Sequence, residues 1–337
     1  MVRELHGSVD ELLRAMAGGR VVTREPLTKN ADSLSGSPFE RVLVDGQPYV
    51  LKHIGHDLDW IMRALDDGVD GALPRAAIMW QTGLLDELPP VIDHTIVAMA
   101  YDPATGHCAI LMRDAGPALV PTGSSVIPFA QHRAFLEHMA AMHATFWDKD
   151  AHPGLLPPGA RYTALTPAMS AREAAAGHHD PIPEYVPNGW AALREAAPQA
   201  YHLALALATD PAPLVRALAE TPATLIHGDW KYGNLGSTVD GRTVLLDWGW
   251  PGRDGPCVDV GWYLAVNCDR LPESKEDAAT AVRAALERHG VSTMDWWDRQ
   301  LELALLGAFV QLGWSKTHDP VELEWWTSRV LPVGKAL

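Results

Sequence analysis

Residues 227–234 read "HGDWKYGN" and stand between two apolar stretches of the chain. Gly, Asp and Asn are frequent in tight turns, so a turn accounts for part of this segment. A turn does not require His227 or Lys231, however. These two residues, together with Asp229 and Asn234, are therefore candidates for chemistry as well as for chain reversal.

A second acidic residue belongs to the same region. Asp247 ends an apolar, strand-like run thirteen residues after Asn234, and the turn pair Asp240-Gly241 between them predicts a hairpin. This hairpin would bring Asp247 back beside the loop, so that two carboxylates, including that of Asp229, converge with the Asn234 amide. Such oxygen ligands suit Mg²⁺, which takes few protein ligands and keeps places for water and phosphate. Lys231 beside them suits a transferring phosphoryl group, which carries spread negative charge.

The composition is that of a globular protein and excludes several functions. The chain has 337 residues, of which 47% are hydrophobic and 20% charged, enough for two lobes with sizeable cores. Its formal net charge of −15 argues against a nucleic-acid partner and is compatible with a cationic small molecule. Three cysteines without paired spacing predict a reducing compartment and no disulfide framework. No apolar run reaches membrane-spanning length, so we expect a cytoplasmic protein without a membrane partner.

The order of the predicted elements places strands first and helices later. Asp45-Gly46 is a type I′ turn pair between β-rich runs and predicts a hairpin over 40–54. A second hairpin is predicted around Thr105-Gly106, which gives an antiparallel, β-rich first third of the chain. Longer stretches with apolar residues at helical spacing follow. This is an α+β pattern, with a small β-rich lobe at 1–115 and a larger helical lobe at 116–337.

Several segments, in the same order along the chain, resemble a known family. "HGDWKYGN" followed by "LLDWG" (245–249) is similar to the catalytic and metal-binding loops of the aminoglycoside phosphotransferase and choline kinase group. "GPCVDVGWYLA" (255–265) resembles the G-D-P-x-x-D-L-A segment of that group. Lys52, in "YVLKHI", stands where its nucleotide-binding lysine is expected. "ILMRDAG" (110–116) resembles the hinge between its two lobes.

This resemblance implies a two-lobed protein-kinase-like fold and transfer of the γ-phosphoryl group of ATP to a small-molecule hydroxyl. Asp229 is then the catalytic base, which receives or orients the hydroxyl, and Lys231 contacts the γ-phosphate. Asn234 and Asp247 hold Mg²⁺, and Lys52 contacts the α- and β-phosphates.

The resemblance also implies supporting roles for other residues. His227 and Asp259 orient the catalytic loop and hold its backbone. The nucleotide is expected in the cleft under the first lobe. The phosphate-loop segment 28–42 carries serines in place of G-x-G-x-x-G, as antibiotic kinases also do. The residues expected to contact the nucleotide from this loop and from the hinge are Ser35, Gly36, Ser37, Met112 and Arg113.

One departure from the family pattern concerns the partner of Lys52. The family has a Glu about twenty residues after this lysine, on a helix, where the two form an ion pair. Here no Glu occurs between Glu40 and Glu87. The lysine has either another partner or one of three acidic residues with a shorter reach, namely Asp66, Asp67 and Asp70.

The sequence leaves the acceptor and some alternatives open. The acceptor classes that fit are an aminoglycoside or other antibiotic, a sugar, and choline or a similar amino-alcohol. Thirteen tryptophans either pack in the core or form an aromatic box for a cation or sugar ring. Residues 151–190, rich in Pro, Gly and Ala, are expected to form an insertion or lid with short helices, outside the core. A pseudokinase or nucleotide-sensing module is the alternative; the missing Glu supports it, and the intact set of Asp229, Asn234 and Asp247 is against it. A metal-dependent phosphatase built on the same carboxylates is a third possibility.

Overall fold

The computed structural model describes residues 3–27, 35–147, 149–150 and 152–337. Packing divides the chain into two compact units. The first unit runs to Gly123 and includes Tyr232–Gly249, and the second consists of Ser124–Lys231 and Trp250–Leu337. The lobe boundary at 115/116 stays a prediction.

The strands of the described residues are short and lie mostly in the first unit. They are β1 (Val22–Pro26), β2 (Phe39–Val44), β3 (Gln47–Ile54), β4 (Ile92–Asp93), β5 (Ile96–Asp102), β6 (His107–Arg113), β7 (Thr224–Ile226), β8 (Leu235–Ser237), β9 (Thr243–Leu245) and β10 (Gly252–Asp254).

The helices lie mostly in the second unit. They are α1 (Val9–Ala17), α2 (Trp60–Ala64), α3 (Arg75–Gln81), α4 (Phe129–Thr145), α5 (Ala160–Thr163), α6 (Pro167–Ala175), α7 (Pro181–Ala196), α8 (Pro198–Thr209), α9 (Ala212–Ala219), α10 (Pro256–Val266), α11 (Lys275–Arg288), α12 (Trp297–Leu312) and α13 (Pro320–Lys335).

The first unit is built on a five-stranded antiparallel sheet with the order β1-β2-β3-β6-β5. Asp45 and Gly46 both have positive φ, 53° and 80°, as a type I′ turn requires, so the predicted hairpin is confirmed. The second predicted hairpin is also present, with Tyr101 opposite Cys108. Helix α1 covers this sheet with Leu12, which is fully buried.

A smaller sheet in the same unit has the order β4-β9-β8. Strands β8 and β9 are antiparallel, with Gly236 opposite Val244, and this confirms the hairpin predicted around Asp240-Gly241. Strand β4 pairs in parallel with β9. The sheet fixes the position of the chain just after the loop and just before Asp247.

The second unit is a helical body around α10 and α12. Helix α10 is apolar on all sides apart from Asp259, and every residue from Pro256 to Ala265 is buried, as is typical of a helix in the centre of a core. The two helices approach closely, because a Cβ on Gly261 would lie 2.7 Å from the Ala304 carbonyl oxygen. A two-stranded ribbon completes the unit, with Ile226 of β7 opposite Gly252 of β10.

The expectation that residues 151–190 lie outside the core is wrong. Helices α5 and α6 and most of α7 fall in this segment, and Tyr162, Met169 and Trp190 are at most 2% exposed. Pro167 and Pro181 begin their helices, a position where proline is favoured because its missing N–H has no helical partner. Two of the prolines in this segment therefore mark helix starts, and Pro187 lies inside α7. Whether the segment covers a substrate stays a prediction.

Two smaller expectations concern cysteines and membranes. Cys108, Cys257 and Cys268 are free thiols. Within the described part of the chain, no helix has both the length and the apolar character that crossing a membrane demands.

Candidate active site

The hairpin of the first unit brings Asn234 and Asp247 to the same end of two paired strands. Leu235 lies opposite Leu245, and the Leu246 N–H donates to the Asn234 carbonyl oxygen at 2.9 Å. Asn234 is 6% exposed. Asp247 adopts a left-handed backbone with φ of 63°, a conformation that Asp tolerates better than most residues.

Lys52 joins this pair from the five-stranded sheet. It lies on β3, where Phe39 of β2 and Ile110 of β6 flank it, and it is only 7% exposed. Its Nζ lies 2.8 Å from Oδ1 of Asp247. A buried ammonium beside a carboxylate is a charged pair that a phosphate group or a metal ion can compete for.

Asp59 is an acidic neighbour of Lys52 that the sequence analysis missed. It is 3% exposed and caps α2, where Oδ1 accepts from the Ile61 N–H at 2.8 Å. Burial raises the pKa of the Asp59 carboxyl, while the nearby charge of Lys52 and a hydrogen bond from Ser37 act in the opposite direction. The signal in the sequence was the N-cap position of Asp59 before the apolar run of α2.

The three acidic residues considered as partners of Lys52 have different surroundings. Asp67 is buried beside Arg75, whose backbone N–H donates to Oδ1 at 2.9 Å. Burial raises the pKa of Asp67 to about 6. Asp66 is exposed, with φ of 48°. The structure does not describe the side chain of Asp70.

Some of the residues predicted to contact the nucleotide make hydrogen bonds to other residues of the protein. The Ser37 hydroxyl donates to Oδ2 of Asp59 at 2.6 Å in a buried position, and the Ser35 carbonyl accepts from the Trp60 N–H at 3.2 Å. Gly36 between them has φ of 92°. The end of the loop is thus tied to the start of α2, whereas residues 28–34 of the predicted phosphate loop lie outside the described residues.

Met112 and Arg113 form the last residues of β6, at the start of the predicted hinge. Met112 is 9% exposed and lies opposite Ile96. The Arg113 guanidinium pairs with the carboxylate of Asp93. The role of both residues toward a nucleotide stays a prediction.

In the second unit, a buried carboxylate holds the start of the loop. Asp259 of α10 accepts from the backbone N–H groups of His227 at 2.9 Å and Gly228 at 2.7 Å, and from the His143 ring at 3.0 Å. It is fully buried. Burial by itself raises the pKa of Asp259, but the His143 hydrogen bond and the charges of the two histidines lower it overall. His143 was missed by the sequence analysis because it lies in α4, far away in sequence.

Gly228 is required by both conformation and space. Its φ is 79°, and a Cβ there would lie 2.4 Å from the Trp250 carbonyl oxygen and 2.9 Å from the Arg161 guanidinium. His227 is also buried, and its Nδ1 accepts from the Asp229 N–H at 3.2 Å. These contacts fix the backbone that carries Asp229.

The carboxylate of Asp229 is buried and bonded on both oxygens. It is 2% exposed. Lys231 Nζ lies 2.9 Å from Oδ2, and the indole N–H of Trp262 donates to Oδ1 at 3.0 Å. The predicted base and the predicted phosphate-contacting lysine are therefore within hydrogen-bond distance of each other.

The predicted site residues thus fall into two sets. The phosphate-loop and hinge residues lie in the first unit, together with Lys52, Asn234 and Asp247, of which Lys52 and Asp247 are in direct contact. The remaining set lies in the second unit. That second set is bound together through the loop and α10, and consists of His227, Asp229, Lys231 and Asp259.

The tryptophans near this region pack within the protein. Trp230, Trp248, Trp250 and Trp262 are at most 6% exposed, which favours core packing over an aromatic box at these positions. Trp250 and Trp262 contact each other, with ring centroids 6.0 Å apart.

Asn234 and Asp247 are the residues that could hold Mg²⁺. The described residues contain no cluster of three or more His, Cys, Asp and Glu side chains that could hold a metal by themselves. Asn234 and Asp247 supply one amide and one carboxylate at the end of one hairpin. Such a set fits Mg²⁺, because this ion uses one or two carboxylates together with substrate phosphates and waters.

Comparisons with known proteins find solved structures that are similar to this chain. No protein-family model matches the chain, and no curated protein matches it. The choline kinase LicA from Streptococcus pneumoniae is similar with a TM-score of 0.50 and 12% identity, covering 96% of this chain and 98% of that chain. The aminoglycoside phosphotransferase APH(3'')-Id from Streptomyces rimosus, in complex with ADP and streptomycin, is similar with a TM-score of 0.47 and 18% identity. The match covers 89% of this chain and 96% of that chain. Macrolide 2'-phosphotransferase type I is similar with a TM-score of 0.45 and 16% identity, covering 98% of both chains.

The likeness to the choline kinase shows that this chain has the same fold. The predicted α+β, kinase-like fold is therefore confirmed. The choline kinase is one of the kinds of enzyme that the loop motifs resemble.

Proposed function

We propose that this protein is a phosphotransferase that moves the γ-phosphoryl group of ATP to a hydroxyl of a small molecule. The observation that carries the proposal is the contact of Lys52 Nζ with Asp247 at 2.8 Å. This contact joins two residues 195 positions apart in sequence, each at the place that the kinase motifs assign to a phosphate or metal contact. An ordinary polar turn gives no reason for it.

Each of the predicted catalytic and metal-binding residues, and Lys52, has a defined part in this reaction. Lys52 binds the α- and β-phosphates, and Lys231 neutralises charge on the transferring group. Asp229 accepts a hydrogen bond from the acceptor hydroxyl and orients it for attack. Asn234 and Asp247 hold Mg²⁺, which when bound neutralises phosphate charge. Catalysis is then mostly positioning and electrostatic stabilisation.

The nucleotide is also held by backbone groups in this proposal. The segment with Ser35, Gly36 and Ser37 approaches the phosphates, and Met112 and Arg113 belong to the hinge that receives the base. The Ser37 hydroxyl is engaged with Asp59, so its contribution comes through the backbone. His227 and Asp259 support the loop without touching the reacting atoms.

The acceptor in this proposal is a small molecule with a free hydroxyl, and a cationic one agrees with the net charge of −15. Aminoglycosides, other antibiotics, sugars and amino-alcohols such as choline are the classes to test. The charge of Lys52 acts on the buried Asp59, and Lys52 pairs with Asp247, so the missing Glu does not leave the lysine without acidic groups around it and weighs less for a pseudokinase.

The proposal is tested by measuring ADP release with Mg-ATP and Mg-GTP against a panel of acceptors. The panel contains streptomycin, hygromycin B, a macrolide, choline and a hexose, and mass spectrometry detects the phosphorylated product. We expect turnover with at least one acceptor. Asp229→Asn and Asp247→Asn should each lower kcat about 100-fold or more.

The control variant is Asp240→Asn, which changes an exposed carboxylate on the turn of the same hairpin. Asp240 bonds only local partners among the described contacts, Thr238 and Arg242, so this variant should keep full activity. Nucleotide binding without turnover of any acceptor would support the binding module. Phosphate release from a phosphomonoester without ATP would support the phosphatase.

A further inference from the structure

Trp262 makes a direct hydrogen bond to the candidate base. Its indole N–H donates to Oδ1 of Asp229 at 3.0 Å. Trp262 is 6% exposed and Asp229 is 2% exposed, so the bond lies away from bulk water. A hydrogen bond to an ionised group in such surroundings is stronger than one between neutral groups.

The indole is held in place by its own surroundings. Trp250 packs against it with ring centroids 6.0 Å apart and an interplanar angle of 32°. The preceding residue, Gly261, lies against the backbone of α12, where a Cβ would come within 2.7 Å of the Ala304 carbonyl oxygen. The helix that carries Trp262 therefore has little room to shift.

Helix α10 bonds both the backbone of the loop and one of its side chains. Asp259 bonds the backbone N–H groups of His227 and Gly228, and Trp262, three residues later on the same helix face, bonds the side chain of Asp229. Lys231 engages the other oxygen of that side chain, Oδ2, at 2.9 Å. One rigid helix thus sets the loop backbone and the rotamer of the carboxylate.

We propose that Trp262 is a positioning residue for phosphoryl transfer, which fixes the Asp229 carboxylate in the orientation that receives the acceptor hydroxyl. This inference rests on the proposed function. The Trp262 bond occupies one oxygen from the protein side and Lys231 pairs with the other, so the carboxylate cannot rotate without breaking both contacts. The base is therefore oriented before the acceptor arrives, which is where much of the catalytic gain of such a site originates.

The kinetic test is a double-mutant cycle between Trp262→Phe and Asp229→Ala. The phenylalanine keeps an aromatic ring in the space and removes the donor. We expect Trp262→Phe to lower kcat about 10- to 100-fold, since a hydrogen bond to a charged group is lost, with the KM for ATP changed less than about twofold. In the Asp229→Ala background the same substitution should have no further effect, because Trp262 acts through that carboxylate.

The matched control is Trp190→Phe. Trp190 is also buried in the second unit, at 2% exposure, and its indole N–H donates to a backbone carbonyl, that of Leu165, at 3.0 Å. Its loss should reduce stability and leave kcat within about twofold. A decrease in kcat as large as that of Trp262→Phe would mean that any buried indole matters, and it would overturn the inference.

A spectroscopic measurement tests the pairing without relying on turnover. The Trp262 indole N–H resonance, assigned by its absence in Trp262→Phe, should move in Asp229→Ala and stay in place in Asp240→Asn. An unmoved resonance in Asp229→Ala would overturn the inference, as would equal kinetic effects of Trp262→Phe in both backgrounds. If the unsubstituted chain phosphorylates no acceptor, the proposed function fails, and the resonance still decides whether Trp262 holds Asp229.

Discussion

The two central carboxylates, Asp229 and Asp247, are held in different ways. Asp229 is buried and bonded by Lys231 and Trp262 on a loop that Asp259 anchors. The side chain of Asp247 is 28% exposed, follows a short hairpin and contacts Lys52. A base must stand in one place to receive a hydroxyl, whereas a ligand of metal and phosphate has to exchange one partner for another. The difference in burial matches this difference in proposed role.

The backbone shows the same contrast. Gly228 and Asp247 both have positive φ, 79° and 63°. At Gly228 the surrounding atoms leave no space for a side chain, while at Asp247 the side chain is present and partly exposed. The loop of the second unit is therefore fixed by packing, and the end of the hairpin by strand pairing. Four substitutions test this comparison.

The largest effect is expected for Gly228→Ala. The new Cβ would lie 2.4 Å from a backbone oxygen at a left-handed position, so we expect the free energy of unfolding to fall by about 4 kcal/mol. Gly241→Ala is the control, because its φ is 86° but a Cβ there meets nothing within 4 Å among the described residues. That variant should lose about 1 kcal/mol. Equal losses in urea unfolding would show that the loop is not fixed by packing.

The next effect is expected for Asp259→Asn. An amide cannot accept from all three donors that face this buried carboxylate, so unfolding should become easier by about 3 kcal/mol. The folded pKa of Asp259 lies below its ordinary value of 3.8. Its stabilisation is therefore complete above that pH and is lost as the pH falls through the lower, folded value. The difference between parent and variant should be constant above about pH 4 and shrink below it.

The control for this variant is Asp277→Asn. Asp277 is exposed in the first turn of α11, where it accepts a hydrogen bond from the hydroxyl of the N-cap Ser274 at 2.7 Å, and its replacement should lower the free energy of unfolding by about 1 kcal/mol or less. An Asp259→Asn protein as stable as this control across the pH range would show that the carboxylate does not hold the loop.

A smaller effect of opposite pH dependence is expected for Asp59→Asn. The folded pKa of Asp59 lies above 3.8, chiefly because the carboxyl is buried. Its contribution to stability is complete below that pH and is lost as the pH rises through the folded value. Asp59→Asn should therefore become more stable relative to the parent as the pH rises from about 4. Urea unfolding at several pH values measures this slope, and a slope of the same sign as that of Asp259→Asn would contradict it.

The smallest effect is expected for Arg113→Ala. Its guanidinium is about half exposed and pairs with the buried Asp93, which keeps Arg242 at 3.6 Å when Arg113 is removed, so we expect the free energy of unfolding to fall by about 1 kcal/mol. Because the predicted hinge contacts come from the backbone, the KM for ATP should change by less than about twofold. A larger change would give the Arg113 side chain a direct role in nucleotide binding.

Short-range chemistry explains why much of the fold could be predicted. The Asp45-Gly46 and Asp240-Gly241 pairs specify hairpins because few residues tolerate the backbone of such turns. The spacing from Asp229 to Asn234, and the hairpin that leads to Asp247, are local in the same sense. Residues 151–190 were misjudged, because composition does not distinguish the prolines that begin packed helices from those of a loose insertion.

The sequence by itself determined the β-rich and helical parts, the loop with its polar residues and the hairpin that returns Asp247 beside Asn234. These features follow from turn chemistry and periodicity over a few residues. Only the tertiary structure decided that Asp59 stands near Lys52 and that Trp262, 33 positions from Asp229, donates to its carboxylate. Such contacts depend on how helices and strands pack, and side chains distant in sequence meet only when the core has placed them.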